Sequence, residues 1–295
     1  MKKPRGKLAT GLTLLAVIIY AVFFLNNDAV EPGSSAEGAL TVTYIDIGQG
    51  DSELIQQGKN TILIDTGEYS QRDKLIGKLS ELNVSTLDYV IATHPHADHI
   101  GSMNVVIDTY DIKHVMMPNA IAGTVSFEKM LESISRKNLR IERPVPGESI
   151  TAGNIELEIL APNAEEYKDA NNYSIVARLM WGRTSFLFTG DAEALSEKET
   201  LAKGFNPSAN VLKVGHHGSA SSTSDDFLNA VNPDIAVISC EEGNTYGHPH
   251  KESLEKLRKK NITVYRTDTM GTITISSDGD NITVAAEKTD QEVVE

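Results

Sequence analysis

Strand-like and helix-like runs of apolar residues alternate along the chain from Leu40 onward. The first half opens on three short stretches rich in Val, Ile, Thr and Tyr with turn residues between them, which is typical of antiparallel strands. A helical periodicity, an apolar strand, a helix-sized stretch, a further strand and a further helix follow. These segments are, in order, LTVTYIDI, DSELIQQ, NTILIDTG, QRDKLIGKLSELN, LDYVIATH, the stretch after Asp98, IKHVMMP and SFEKMLESISRKN.

The second half of the chain repeats this order of strands followed by helices. Its predicted strands are NIELEILAP, NNYSIVARLMW, RTSFLFTGD, NVLKVGHH and PDIAVISC, and its predicted helices are AEALSEKETLAK, DDFLNAV and KESLEKLRKK. Two halves of this kind predict an α+β fold in which two mixed sheets lie face to face and helices cover the outer faces.

The N-terminal 25 residues predict a membrane segment. Residues 8–25 are uncharged and mainly apolar, directly after four basic residues, and their 18 positions reach the lower length limit of a spanning helix. An uncleaved anchor is favoured over a cleaved signal peptide, since Asn26, Asn27 and Asp28 follow the apolar run. Either alternative exports the rest of the chain, anchored in the membrane or secreted. Residues 26–38 are then a flexible linker, 39–288 the folded domain and 289–295 an acidic tail.

The charge of the chain is uneven. Its 295 residues carry a formal net charge of −14 from 27 basic and 41 acidic residues, and the four basic residues of the N-terminal segment leave a more acidic body. Such a body argues against a broad basic surface for nucleic acid. The single cysteine, Cys240, excludes cysteine-based zinc clusters and leaves His, Asp and Glu as metal ligands.

The strongest chemical signal is the segment Thr93-His94-Pro95-His96-Ala97-Asp98-His99, directly after a predicted strand. It holds three of the eight histidines of the chain. Four side chains with nitrogen or oxygen donors in one turn can point to two sides and bind two adjacent ions. The sequence therefore predicts a centre for one or two divalent metals, with zinc or manganese as the expected ion.

This segment resembles the HxHxDH signature of the metallo-β-lactamase superfamily, and other segments match the motif order of that superfamily. The resemblance implies an αββα sandwich. It also implies that Asp65 in LIDTG orients a ligand imidazole and that Asp191 in FLFTGD bridges both metals. His216 or His217 in KVGHHGS would be the last ligand.

Within the superfamily, the chain resembles the extracytoplasmic hydrolase domain of ComEC-type competence proteins. The segments DIGQGDS, HADHIGS, NNYSIVARL, TGDAE, LKVGHHGS and GNTYGHP carry this resemblance over roughly residues 40–277. One apolar segment does not form a channel, so we expect a stand-alone relative of the domain and not a DNA importer.

One departure from the superfamily pattern concerns the number of ligands. His114 is the only histidine between His99 and His216, and it lies in an apolar strand where a structural role is expected. The missing ligand position falls near Asn172, and an asparagine is a weak zinc ligand. The first metal would then be bound by His94, His96 and Asp191, and the first site would be weaker or manganese-preferring. The second metal would be bound by Asp98, His99, Asp191 and a late histidine.

Further roles are expected for the late histidines, His216 and His217, and for residues near them. If the strand NVLKVG continues into them, His216 and His217 point to opposite sides, so that one ligates, with His217 favoured, and the other faces substrate. Lys213 either binds a phosphate oxygen or reaches solvent. His248, on a loop after a predicted strand, suits a general acid for the leaving group.

The remaining candidates are expected to contact substrate. They are Asn172, Ser219, Asn244 and Tyr246, with His250 as a weaker one. Ser174, Ser219 and Ser221 lack a convincing base, which argues against a serine nucleophile.

Three functions are compatible with these residues. The first is hydrolysis of phosphodiesters, including those of nucleic acid, by a water that two divalent ions activate. Here Asp65 holds a ligand, and His248 protonates the leaving alkoxide. Asp98 and Lys213 complete the catalytic set. The second is hydrolysis of an amide, ester or lactam of the cell envelope, and the third is a non-catalytic module that binds DNA or an envelope component. Loss of turnover in an Asp191→Ala variant would favour an enzyme.

Overall fold

The computed structural model describes residues 38–288. The predicted membrane segment 1–25, all but the last residue of the predicted linker 26–38 and the predicted tail 289–295 lie outside the described residues. Within the described part, none of the helices has the length and apolar character needed to cross a bilayer.

Fifteen strands and eight α-helices are formed by the described residues. The strands are β1 (Leu40–Tyr44), β2 (Glu53–Gln57), β3 (Asn60–Ile64), β4 (Thr86–Ile91), β5 (Asp111–Met116), β6 (Ile141–Glu142), β7 (Ser149–Ala152), β8 (Ile155–Ala161), β9 (Val176–Trp181), β10 (Thr184–Phe188), β11 (Val211–Lys213), β12 (Ile235–Ile238), β13 (Thr263–Arg266), β14 (Ile273–Ser277) and β15 (Ile282–Ala286). The helices are α1 (Arg72–Glu81), α2 (Ala97–Ile100), α3 (Met103–Thr109), α4 (Val125–Arg136), α5 (Ala194–Ala202), α6 (Asp225–Val231), α7 (Lys251–Lys259) and α8 (Thr267–Met270). Short 3₁₀ turns lie at Tyr69–Gln71, Ala170–Tyr173 and Gly215–Gly218.

The strands form two mixed sheets, which confirms the predicted α+β class. The order is β15-β14-β1-β2-β3-β4-β5-β6 in the first sheet and β13-β12-β11-β10-β9-β8-β7 in the second. Strands β3 to β6 are parallel, as are β10 to β13, whereas the remaining neighbours are antiparallel.

Three apolar layers show that the fold is an αββα sandwich. Val42 and Ile62 of the first sheet share one buried cluster with Leu157 and Phe186 of the second. A second cluster joins the outer face of the first sheet to α1, α3 and α4, and a third joins the second sheet to α6 and α7. Each set of helices therefore covers the sheet face opposite the partner sheet.

The C-terminal strands differ from the sequence prediction, which ended its elements at the helix KESLEKLRKK. In β14, buried Ile273 and Ile275 alternate with the half-buried Thr274 and Ser276, a period-2 pattern that could have identified the strand. β14 pairs antiparallel with β1, so the C-terminus crosses back to the first sheet. The two sheets are therefore not each built from one half of the chain.

The parallel strands place the candidate residues at one edge of the sandwich. Asp65 follows β3, and residues 93–99 follow β4 in the first sheet, whereas Asp191, His216 and His217 follow β10 and β11 in the second. The carboxyl ends of neighbouring parallel strands open at the same edge. A hydrogen bond from the Ile175 amide to the Thr93 carbonyl joins the two sheets at this edge.

Candidate metal centre

Four donor atoms converge on one point beside Asp191. Asp191 Oδ1 lies 3.3 Å from His99 Nε2 and 3.6 Å from His217 Nε2. Asp98 Oδ2 lies 3.2 Å from His217 Nε2 and 3.8 Å from His99 Nε2. These four residues form a group that could hold a metal ion, and it is the predicted second site with His217 as the late histidine.

A second group of donors lies at the other oxygen of Asp191. Asp191 Oδ2 is 3.7 Å from His94 Nε2, and His94 Nε2 is 3.0 Å from His96 Nδ1. Together these three residues could hold an ion, as the sequence analysis expected for the first site. Asp191 thus presents one carboxylate oxygen to each group, which is the geometry of a bridging ligand.

Outer contacts fix the orientation of the imidazoles in the second group. Asp65 Oδ2 lies 2.7 Å from His99 Nδ1, and the Ser239 carbonyl lies 3.0 Å from His217 Nδ1. With Nδ1 donating its proton outward, Nε2 of each ring is the nitrogen that faces the centre. Asp65 therefore lies where the resemblance to the superfamily implied.

Hydroxyl groups surround the buried ring of His94. Thr93 Oγ1 and Ser174 Oγ lie 3.1 and 3.3 Å from His94 Nδ1. Ser174 Oγ also accepts a hydrogen bond from the Asp191 amide at 3.0 Å. Ser174 therefore positions one ligand of each sheet, a role that the sequence, in which Ser174 was only a candidate nucleophile, did not reveal.

The local backbone brings both late histidines to Asp191. β11 ends at Lys213, and His216 and His217 have φ angles of 50° and 55°, in the left-handed region. Because they lie in a turn and not in a strand, the expectation that their side chains point to opposite sides is wrong. His216 Nε2 lies 3.6 Å from Asp191 Oδ2, on the side of the first group.

The pKa values of the histidines at the centre depend on burial and on the neighbouring carboxylates. Burial alone would lower the pKa of each histidine, but Asp191, Asp65 and Asp98 outweigh it at His99 and raise that pKa well above its ordinary value. Asp191 and Asp51 raise the pKa of His217 to about 10. At His94, burial and the neighbouring His99 prevail and lower the pKa well below its ordinary range.

The donor set fits a divalent cation. His99 Nε2, His217 Nε2 and Asp191 Oδ1 are buried and have no hydrogen-bond partner among the described residues. Such orphaned buried atoms cost free energy unless a ligand satisfies them. A divalent cation held by these atoms would take the place of the imidazole protons. Imidazole and carboxylate donors without sulfur suit zinc or manganese.

Lys213 does not take either position that the sequence analysis considered. Its side chain is 1% exposed, and Nζ lies 2.7 Å from Asp51 Oδ2. The second Asp51 oxygen lies 3.2 Å from His217 Nδ1. The lysine is therefore neither at the solvent nor free for a phosphate oxygen, because it neutralises a buried carboxylate that also supports a ligand imidazole.

Asn172 also differs from its expected role beside the first metal. Its Oδ1 accepts from the Ser196 amide, and its Nδ2 donates to Glu193 Oε2, both at 3.2 Å. These contacts stabilise the chain around α5. The neighbouring Asn171 is closer to the centre, with Nδ2 3.5 Å from His216 Nδ1.

His248 lies beside the late histidines, with its ring centroid 5.4 Å from that of His216 and 6.0 Å from that of His217. Partial burial, followed by the neighbouring His217, His216 and His250, lowers the pKa of His248 to about 4. A nearby divalent cation would shift the pKa in the same direction. A ring that is neutral at pH 7 argues against the predicted general acid and favours hydrogen bonding to substrate.

The other predicted contacts are mainly parts of the loop frame. Ser219 is buried, with Oγ 3.0 Å from Ser221 Oγ. Asn244 uses Oδ1 and Nδ2 to hold the backbone of its own loop, and His250 Nδ1 accepts from the Ala220 amide. Tyr246 remains exposed. His114 is remote from this frame, because its Nδ1 lies 2.6 Å from Glu142 Oε1.

Asp51 and the preceding glycine are functional candidates that residue-level reasoning missed. Gly50 has a φ of +131°, and a Cβ at this position would lie 2.2 Å from the Asp98 carbonyl oxygen. The Asp51 amide donates to the same carbonyl at 3.2 Å. The segment DIGQGDS therefore contacts the backbone of the metal centre, whereas in the sequence it was noted only as part of the family resemblance.

Gly50→Ala should weaken metal binding at the second group. The added methyl group forces the Asp98 backbone to move, and disturbing a support of a ligand costs about 10- to 100-fold in metal affinity. Gly58→Ala is the matched control, because Gly58 also has a positive φ but no atom lies within 4 Å of the added carbon. Titration with Mn²⁺ followed by calorimetry checks this, and equal affinities for the two variants would contradict it.

Comparison with known proteins agrees with this architecture. The Bacillus subtilis (strain 168) "ComE operon protein 3" is 35% identical over 264 residues, covering 83% of this chain and 34% of that protein. "Competence protein ComA" of Neisseria gonorrhoeae is 30% identical over 274 residues, covering 92% of this chain and 36% of that protein. The chain therefore spans about a third of the length of these curated relatives.

The fold recurs in a solved structure of low sequence identity. The metallo-beta-lactamase fold protein YhfI from Bacillus subtilis superposes with a TM-score of 0.52 at 16% identity, covering 81% of this chain and 100% of that one. At this identity the likeness concerns the fold alone.

The αββα sandwich and the two donor groups that share Asp191 are those expected of a metal-dependent hydrolase of the β-lactamase superfamily. Residues 45–241 match the family model described as "Metallo-beta-lactamase superfamily", and the chain belongs to that superfamily. Its relatives are ComEC-type competence proteins, which confirms the resemblance drawn from the sequence.

Proposed function

We propose that this chain hydrolyses phosphodiester bonds of nucleic acid at a centre for one or two zinc or manganese ions. The observation that carries the proposal is that Asp191 presents Oδ1 to one donor group and Oδ2 to the other. Divalent cations at such a centre supply a water of lowered pKa and neutralise charge on an attacked phosphate.

The side chains of the protein prepare this centre. Asp65 holds His99, and Asp51 with the Ser239 carbonyl holds His217, so that both Nε2 atoms point inward. His94, His96 and Asp191 would hold the first ion, with His216 Nε2 as a further donor in reach of the same Asp191 oxygen. His248 would hydrogen-bond the substrate in its neutral form.

A nucleic-acid substrate is supported by the relative that is named "Competence protein ComA". The chain has a net charge of −14, and its body repels phosphates. Binding should therefore be weak, metal-dependent and salt-sensitive, and single strands should be better substrates than duplexes.

The proposed location is outside the cytoplasm, as part of the same proposal. The basic flank and the 18 apolar residues of the N-terminal segment are the support for it, because such a segment orients a chain with its basic end inside. The segment would be a membrane anchor or a signal peptide.

Hydrolysis is tested with the purified full-length chain, stripped by EDTA and reloaded with Mn²⁺, Zn²⁺ or Mg²⁺. Linear single-stranded DNA should be cleaved with Mn²⁺ or Zn²⁺ and not in EDTA. A chromogenic β-lactam, assayed in the same sample, should be hydrolysed far more slowly than a model phosphodiester. Absence of cleavage of every nucleic acid and model phosphodiester with every metal would contradict the proposal.

A further inference from the structure

A polar cavity lies beside the loop that carries His248. It has a volume of about 260 Å³ and is lined in part by Gln49, Glu68, Gln71, Glu241 and Asn244. Pockets for drug-sized ligands measure roughly 300–1,000 Å³, so this cavity suits a smaller ligand of about one heterocyclic base.

Tyr246 also lines the cavity and is 65% exposed. Its ring lies nearly parallel to that of His248, at an interplanar angle of 20° and a centroid distance of 5.7 Å. His248 in turn contacts His216 and His217. Two ring contacts therefore separate Tyr246 from the late histidines at Asp191.

The loop holds Tyr246 in place. Asn244 Oδ1 accepts from the amides of Tyr246 and His248, and Asn244 Nδ2 donates to the His248 carbonyl. His250 Nε2 lies 3.3 Å from the Tyr246 carbonyl. An aromatic side chain presented on a fixed loop loses little conformational entropy when a ligand stacks on it.

We propose that this cavity binds a nucleobase of the substrate, stacked on Tyr246, while a phosphate of the same strand lies at the metal centre. Stacking on aromatic side chains is how proteins hold the bases of single strands. The amides of Gln49 and Gln71 can donate to base carbonyls, and the carboxylates of Glu68 and Glu241 can accept from base amino groups. The same carboxylates repel phosphate groups, so the sugar-phosphate backbone of the strand should lie toward the metal centre and not in the cavity.

This inference rests on the proposed function, and two matched strands test it. One is a single-stranded oligodeoxynucleotide, and the other has the same length with every nucleoside replaced by a stable abasic residue. Tyr246→Ala should raise KM for the first strand about 10-fold, since stacking is worth that order per base, whereas Tyr246→Phe should resemble the wild type. KM for the abasic strand should be high in the wild type and unchanged in Tyr246→Ala.

Met180→Ala is the control. Met180 is also exposed, but it lies near the C-terminal end of β9, whereas Ser174, which contacts the metal centre, precedes the N-terminal end of that strand. An unchanged KM for the normal strand in Tyr246→Ala, or equal effects on both strands, would overturn the base site.

Binding is measured separately by fluorescence anisotropy of the labelled strands with Mn²⁺. Absence of cleavage together with weaker binding of the normal strand to Tyr246→Ala would contradict the proposed hydrolysis and retain the base site. Equal binding of the normal and abasic strands to the wild type would reject the base site alone.

Discussion

Replacing Asp191 with asparagine should abolish detectable hydrolysis and remove at least one equivalent of bound metal. Among the described residues, Asp191 is the one residue that belongs to both donor groups, through Oδ1 toward His99 and His217 and through Oδ2 toward His94. An amide nitrogen cannot accept in place of one of these oxygens. Loss of a supporting residue costs about 10- to 100-fold in metal affinity, and loss of the shared ligand should cost at least about 100-fold.

Two further variants separate this effect from general damage. Asp65→Asn removes only the acceptor of the His99 Nδ1 proton, so its loss of affinity should fall between those of the wild type and of Asp191→Asn. Asp108→Asn is the surface control, because Asp108 pairs with Arg136 on the outer helices. Metal content by mass spectrometry, turnover and circular dichroism are measured for all variants. Wild-type metal content and turnover in a folded Asp191→Asn variant would contradict the bridging role.

The parts of the site that lie close together in sequence could be predicted from it. His94, His96, Asp98 and His99 follow one strand, and all four reach the centre. Asp191 is remote in sequence and was identified only through the superfamily resemblance. The αββα layers followed from the alternation of strand and helix patterns, since each sheet face and helix face must be buried.

Long-range pairing explains what the sequence did not reveal. Lys213 lies in an apolar strand, and its partner Asp51 is 162 residues away, so no local pattern showed that this charge is neutralised inside the fold. The left-handed turn at His216 and His217 likewise depends on its surroundings, because strand propensity predicts an extended chain there. The pairing of β14 with β1 depends on tertiary contacts in the same way.

Lys213→Met should destabilise the metal-free protein by about 3 kcal/mol, the lower end of the cost of breaking a buried ion pair, because the His217 imidazole is then the only cationic partner among the described residues left in contact with Asp51. Asp51 and Lys213 are each buried, at 2.7 Å from one another. The neighbouring Glu53 does not replace Asp51 as the partner of Lys213, because burial and the Asp51 charge raise the pKa of Glu53 well above its ordinary value and favour its neutral form. Lys113→Met is the matched control, because the exposed Lys113 pairs with Asp88 at the surface and should change stability little.

The pH dependence of this loss follows from the pKa of Asp51. Burial raises that pKa, but Lys213 and then His217 outweigh burial and lower it to about 2, below the unfolded value of about 3.9. In the wild type this carboxylate therefore stabilises the fold above about pH 4, and the contribution is lost as the pH falls toward 2.

Without Lys213, only His217 and His99 oppose the effect of burial, so the pKa of Asp51 should rise and the variant should lose part of the stability that the ionised carboxylate gives the wild type. The difference in unfolding free energy between wild type and Lys213→Met should thus be largest at neutral pH and shrink on acidification toward pH 4. Urea unfolding in EDTA at several pH values measures it. A difference that is independent of pH would show that Lys213 acts through packing, because only loss of its charge couples stability to the protonation of Asp51.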